Sequence, residues 1–292
     1  MSEEKVRNVG PAGIEIAYER LGDPAAPPVL LIMGAGGQLI NWPDGLCAAL
    51  ADHGLHVIRF DNRDSGHSTH FDEAGTPDIP AALNGDRSTV PYELADLAAD
   101  TIGLLDALDI ESAHVVGASL GGMIAQTVAV DHPARVRSLT SIMSTTSDYM
   151  TPPPTVERRP PGPPPTTREL YIDRMVTAAS GIDTALDAVA ETAGRTWDRG
   201  WSLPGMLRQA ASVIGSGDRA GKLAALKLPT LVIHGAADRT ADPAAGKATA
   251  DAIPGAEFVL VDGMGHNFPP RVWPELSTRI AALVHNAETN PI

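Results

Sequence analysis

The stretch Ala113-His114-Val115-Val116-Gly117-Ala118-Ser119-Leu120-Gly121-Gly122-Met123-Ile124 decides the fold. An apolar, β-branched run ends in Gly-x-Ser-x-Gly, and an amphipathic segment follows at once. That order predicts strand, sharp turn and helix, with Ser119 strained at the apex and its hydroxyl pushed into the open. Gly117 and Gly121 flank the serine because a Cβ at either place would collide with the neighbouring strand or helix. The helix that begins after Ser119 aims its N-terminal amides at any oxyanion formed there. Gly-x-Ser-x-Gly also recurs by chance, so the rest of the chain has to supply a histidine, an acid and a second oxyanion donor.

Composition narrows the classes first. A chain of 292 residues, 43% hydrophobic, suits one large α/β domain or one domain with an insertion. Aromatic residues make up only 4%, so Ala, Leu, Val and Ile fill the core. The net charge of −14 argues against nucleic-acid partners and against anionic membrane surfaces. A single cysteine, Cys47, leaves no internal disulfide and no cysteine metal cluster, and it reads as a small buried hydrophobe. Residues 1–5 lead into no apolar signal core. Two uncharged stretches, Ala25 to Pro43 and Ser112 to Val130, are broken by glycine and read as buried strand-turn-helix units, not membrane spans. A cytoplasmic protein is expected.

Upstream of the serine, Gly13 to Glu19 alternates with period two, as a half-exposed strand does. Val29 to Met33 is apolar throughout, as in a strand covered on both faces, and runs into Gly34-Ala35-Gly36-Gly37. That cluster fits no dinucleotide or phosphate-loop fingerprint, and no lysine follows to meet a phosphate. It reads as the second oxyanion donor, through the Ala35 amide, beside the Leu120 amide at the elbow. A helix from about Pro43 to His53, a strand at His56 to Phe60 and a helix from Tyr92 to Leu108 follow. In the polar loop between those last two elements, Arg63 and Asp64 read as structural pins, not catalysts.

Downstream, Val136 to Met143 reads as a strand, and then composition changes. Eight of the fourteen residues from Pro152 to Pro165 are proline, which predicts an extended arm. A helical region is expected from about Arg168 to Asp218, divided at Gly194, Gly200 and Pro204-Gly205. Residues 147–228 hold ten Lys or Arg and nine Asp or Glu, so the remainder carries nearly all the negative charge. The expected organisation is a core of residues 1–146 and 229–292 carrying a helical cap of residues 147–228. Trp197, Trp201 and Met206 are its expected pocket side chains, on a roofed cavity.

Strand pattern returns at Pro229 to His234 and ends in Gly235-Ala236-Ala237-Asp238. Asp238 then sits at the carboxyl edge of the sheet, where open α/β folds build their sites. After the strand Glu257 to Val261 comes Asp262-Gly263-Met264-Gly265-His266, which puts His266 in a glycine-rich loop free to reach the serine. Alternating strands and helices predict a mostly parallel sheet with helices on both faces.

The chain order Ser119, Asp238, His266 is that of the α/β-hydrolases. The sequence resembles that superfamily over its whole length. Within it, Asn41-Trp42-Pro43-Asp44, His56 to Gly66 and Gly263-Met264-Gly265-His266 resemble the aclacinomycin methylesterase-like esterases. Many superfamily members carry His-Gly at the oxyanion loop, whereas this chain has Met33-Gly34, as those esterases do. The cap departs most from that group, and the cap sets the substrate. The resemblance implies a serine ester hydrolase with an acyl-enzyme and a small apolar or polyketide-like substrate, with no metal and no organic cofactor. A carbon–carbon bond hydrolase or a cofactor-free perhydrolase uses the same triad, and a small-molecule receptor is the reading from another class. A serine at the elbow disfavours dehalogenase and epoxide-hydrolase chemistry, which needs a carboxylate there. The sequence leaves the oligomeric state open, with a homo-oligomer compatible with it.

Overall fold

A computed structural model describes residues 2–147, 150–151, 153–156, 163–179 and 185–290. Among the described residues eight strands form one sheet: β1 (Glu4–Val9), β2 (Ile14–Leu21), β3 (Pro28–Ile32), β4 (His56–Phe60), β5 (Ala113–Ala118), β6 (Val136–Ile142), β7 (Thr230–Gly235) and β8 (Glu257–Val261). Their order is β1-β2-β4-β3-β5-β6-β7-β8. The first two strands run antiparallel to their neighbours, and every pairing from β4 onward is parallel. The mostly parallel sheet expected from the alternation is therefore present.

Among the described residues nine α-helices fall between the strands, α1 (Asp44–Asp52), α2 (Ile79–Leu83), α3 (Leu94–Ala107), α4 (Leu120–Asp131), α5 (Arg168–Ala179), α6 (Leu186–Asp198), α7 (Leu203–Ala211), α8 (Ala220–Leu223) and α9 (Pro243–Ala252), and a tenth, α10 (Trp273–Thr289), follows β8. The pleat of β3 shows how they cover the sheet. Leu30 and Ile32 pack with side chains of α3 and α4, while Val29 and Leu31 pack with those of α1 and α10. Successive strand residues face opposite sides, so an unbroken apolar strand needs helices on both.

Central strands crowd the serine turn. An ideal Cβ on Gly117 would lie 2.0 Å from the Gly121 carbonyl oxygen, and one on Gly121 would lie 2.0 Å from that of Ile32. Backbone cannot yield as a side-chain tip can, so α4 starts flush against β3 and β5 only because both positions are glycine.

Three local readings need correction. β1 went unassigned because its pattern is Glu-Lys-Val-Arg-Asn-Val, an edge strand that is exposed along much of its length. Gly194 does not divide the helical region: α6 runs through it, and an added Cβ would meet the Arg168 guanidinium at 2.5 Å. Nor does Pro204-Gly205 divide it. Both lie in the first turn of α7, where proline is tolerated, and Gly205 lets the helix approach the Asp64 carbonyl. The proline-rich arm lies partly outside the described residues, and Asp148, the reserve candidate for the acid after the strand Val136 to Met143, lies outside them.

Candidate active site

Ser119 occupies the turn between β5 and α4 with φ 57° and ψ −122°, a conformation that non-glycine residues rarely adopt. The surrounding backbone over-determines it. Ser119 N donates to Ile142 O at 2.9 Å, and Ser119 O accepts from Ser144 Oγ at 2.8 Å and from Gly122 N at 2.9 Å. The side chain is thereby held away from the sheet, with Oγ 3.0 Å from His266 Nε2 and 3.7 Å from Met150 Sδ.

His266 comes from the loop after β8, and its Nδ1 lies 2.7 Å from Asp238 Oδ2. Asp238 follows β7 and its carboxylate is fully buried. Burial alone would raise its pKa, but hydrogen bonds from His234 and His266 and from the Ala241 amide hold it below the ordinary aspartate range. Its other oxygen, Oδ1, accepts from Thr240 N at 2.8 Å and Ala241 N at 2.9 Å. The carboxylate can therefore rotate toward neither side.

His234 is the last residue of the strand read at Pro229 to His234, with no role expected of it in the site. It is fully buried, with Nε2 3.2 Å from Ala241 O and 3.4 Å from Asp238 Oδ2. Both neighbours are acceptors, so Nε2 carries the proton. Nδ1 is buried without a partner among the described residues. The signal for it was the spacing, four residues before the acid at the end of the same strand.

Of the two expected oxyanion donors, Ala35 N and Leu120 N, neither donates to a described partner. Both amides are thus open to a ligand. The Gly34 loop passes close enough that a Cβ there would lie 2.8 Å from Ser119 Cβ.

Between sheet edge and inserted helices lies a cavity of about 460 Å³ bordered by Ala35, Ser119 and His266. Trp201 and Met206 line it, as do Tyr171, Leu203 and Phe268. Trp197 does not. Its ring stacks on Trp201 with centroids 5.6 Å apart and tilts against Tyr171 at 5.8 Å, so it backs the lining from behind. Helical spacing in the sequence could not separate the two tryptophans, because the loop after α6 turns Trp201 inward.

Arg63 and Asp64 are structural, as expected, but their partners are distant. Arg63 binds Asp100 of α3 through two bonds of 2.6 and 2.7 Å. Asp64 binds Arg208 of α7 at 2.6 and 2.9 Å and accepts from Tyr92 Oη at 2.7 Å. Asp64, His70 and Asp72 could converge on a cation, but the Arg208 guanidinium already bridges the two carboxylates.

The sequence profile of the α/β hydrolase fold matches residues 27–269. The chain belongs to that family. Two curated relatives of this α/β hydrolase are rhodomycin D methylesterases. That of a Streptomyces species is 31% identical over 90% of this chain and 93% of its own length. That of Streptomyces peucetius is 30% identical over the same shares of the two chains. Among solved structures, an esterase from a Rhodococcus species superposes with a TM-score of 0.71 at 21% identity, covering 97% of this chain and all of its own. An esterase from Thermogutta terrifontis gives 0.68 at 21% identity, covering 98% of this chain and 99% of its own. These two neighbours speak to the fold. No described helix is long and apolar enough to cross a membrane.

Proposed function

We propose that this α/β hydrolase is a carboxylic ester hydrolase that works through Ser119, His266 and Asp238 by way of an acyl-enzyme. The observation that carries the reading is the continuous chain Ser119 Oγ–His266 Nε2–His266 Nδ1–Asp238 Oδ2, with links of 3.0 and 2.7 Å, at the head of the cavity. His266 Nε2 takes the Ser119 proton as Oγ bonds to the ester carbonyl carbon. The carbonyl oxygen becomes an oxyanion that the amides of Ala35 and Leu120 receive, each worth roughly 3 kcal/mol to the transition state. Collapse expels the alcohol, which leaves with the proton from His266. Water then bonds to the acyl carbon as His266 takes its proton, and the acid is released as the bond to Ser119 Oγ breaks and Oγ takes that proton back from His266. Asp238 holds the His266 tautomer and stabilises the imidazolium. No step asks for a metal or an organic cofactor.

Residues 147–228 act in this reading as a cap over the core of residues 1–146 and 229–292. The small-molecule substrate is a methyl ester on a bulky apolar, polyketide-like body. The two relatives named as rhodomycin D methylesterases and the apolar cavity lining support that class. A bulky polycyclic methyl ester should therefore exceed p-nitrophenyl acetate in kcat/KM by about tenfold or more. Turnover of a ring-fission dione in place of any ester would instead select the carbon–carbon hydrolase. Tight binding without turnover of either would select a receptor.

Specificity should respond to the lining and not to what stands behind it. Trp201→Ala is expected to shift the kcat/KM ratio between those two esters by about tenfold, the worth of one apolar contact set in a pocket. Trp197→Ala should shift it by less than about half as much in free energy. Rates of phosphonate labelling at Ser119, measured alongside, should stay near the parent's. Equal shifts from both tryptophans would mean that the aromatic stack as a whole, not the lining ring, sets the choice.

A further inference from the structure

The amide group that holds the oxyanion turn in place does not come from the sheet. It comes from α7, in the segment inserted between β6 and β7. Gln209 is fully buried, its Oε1 accepts from Gly36 N at 2.7 Å, and its Nε2 donates to Arg63 O at 2.6 Å. These partners admit only one orientation of the side-chain amide, oxygen to the N–H and nitrogen to the carbonyl.

The turn it meets is Gly34 to Gly37, closed by Gly37 N donating to Gly34 O at 3.0 Å, with Gly36 at φ 69°. Positive φ at the third position makes this a turn whose central peptide, Ala35–Gly36, has one orientation and could adopt the flipped one. The N–H of that central peptide is the group Gln209 takes. The neighbouring peptide, Gly34–Ala35, carries the Ala35 N–H. A second contact on the same turn comes from the same helix. An added Cβ on Gly36 would meet Met206 Cγ at 2.7 Å, so α7 lies directly on the glycine.

Helix α7 is itself fixed to the core. The Arg208 pair with Asp64 is buried on both sides, and Arg63, whose carbonyl Gln209 uses, is pinned to Asp100. The position of Gln209 Oε1 is thus defined by the core as firmly as by the helix that carries it.

We infer that Gln209 is a positioning residue for the reaction: it sets the Gly34–Gly37 turn so that Ala35 N faces the oxyanion. The inference rests on the proposed role of Ala35 N. Its consequence is that the inserted segment contributes to the chemical step as well as to substrate choice.

Gln209→Met keeps the length and removes both hydrogen bonds. It is expected to lower kcat by roughly 10- to 100-fold, less than the loss of a whole oxyanion donor, with KM within about threefold. A trifluoromethyl ketone that forms a hemiketal with Ser119 should lose affinity in step with kcat, while the corresponding unreactive alcohol should bind as before. Equal weakening of ketone and alcohol, a loss carried by KM, or an unchanged kcat would each overturn the inference. Gln209→Glu gives a readout that survives if the Met variant does not fold. Only a protonated carboxyl can both donate to Arg63 O and accept from Gly36 N, so kcat relative to the parent should rise as the pH is lowered. A ratio that is flat or falls with decreasing pH would overturn the inference as well. Failure of the underlying reading looks different. Ser119→Ala that still hydrolyses ester removes the triad itself, whereas an inert Ser119→Ala beside a Gln209→Met at parent kcat removes only the role of Gln209.

Discussion

Ser119→Ala is expected to lower kcat for ester hydrolysis about 10⁶-fold, to the level left by binding and the oxyanion amides alone. The change removes one oxygen whose described contacts are His266 Nε2 at 3.0 Å and Met150 Sδ at 3.7 Å. No backbone bond of the turn involves it. The melting temperature should accordingly stay within about 3 °C of the parent, since loss of a half-exposed hydroxyl costs under about 1 kcal/mol. A serine-directed phosphonate should label Ser119 alone in the parent and nothing in the variant. Labelling at another serine, or an alanine variant with appreciable turnover, would remove Ser119 from the mechanism.

How much of this could be read in advance depends on how local each signal is. The strand-turn-helix at Ser119 is encoded within twelve residues, because the two flanking glycines and the apolar run belong to one contact between β3, β5 and α4. The positions of Asp238 and His266 were also legible, since each follows a strand that ends at the same edge of the sheet, β7 buried throughout and β8 partly exposed. Contacts made across the chain were not. Arg208 and Asp64 lie 144 residues apart in sequence and Gln209 and Gly36 173, and nothing near either glutamine or arginine announces a partner. Glycine misled for the same reason. Gly194 and Gly205 look like breaks, but they make room for Arg168 and for the Asp64 backbone, neighbours that only the fold supplies. The first strand was missed because an edge strand needs only partial burial, and its charged residues pair with Glu15 and Arg20 on β2 instead of avoiding the sheet.

Asp238→Asn is expected to lower kcat by roughly 10⁴, and the surroundings of the carboxylate say why. Thr240 N and Ala241 N both donate to Oδ1, so the asparagine carbonyl is retained there and its NH₂ is forced to the Oδ2 side. That side faces His266 Nδ1 at 2.7 Å and His234 Nε2 at 3.4 Å. Reversing the amide would set the NH₂ against two backbone donors, a worse exchange. His266 must then offer a lone pair at Nδ1 and carry its proton on Nε2, facing Ser119 Oγ. An imidazole in that tautomer cannot accept the serine proton. Phosphonate labelling of Ser119 should slow in parallel with kcat, because both need the activated hydroxyl, while KM changes little. Acid should not mimic the substitution. With its pKa held below the ordinary range, Asp238 stays ionised in the folded protein as the pH falls through that range. The stability it contributes is full above the ordinary value and is lost progressively as the pH falls from there to the lowered one. Near-parent activity in Asp238→Asn would show that the acid lies elsewhere, with Asp148, outside the described residues, the next carboxylate to replace.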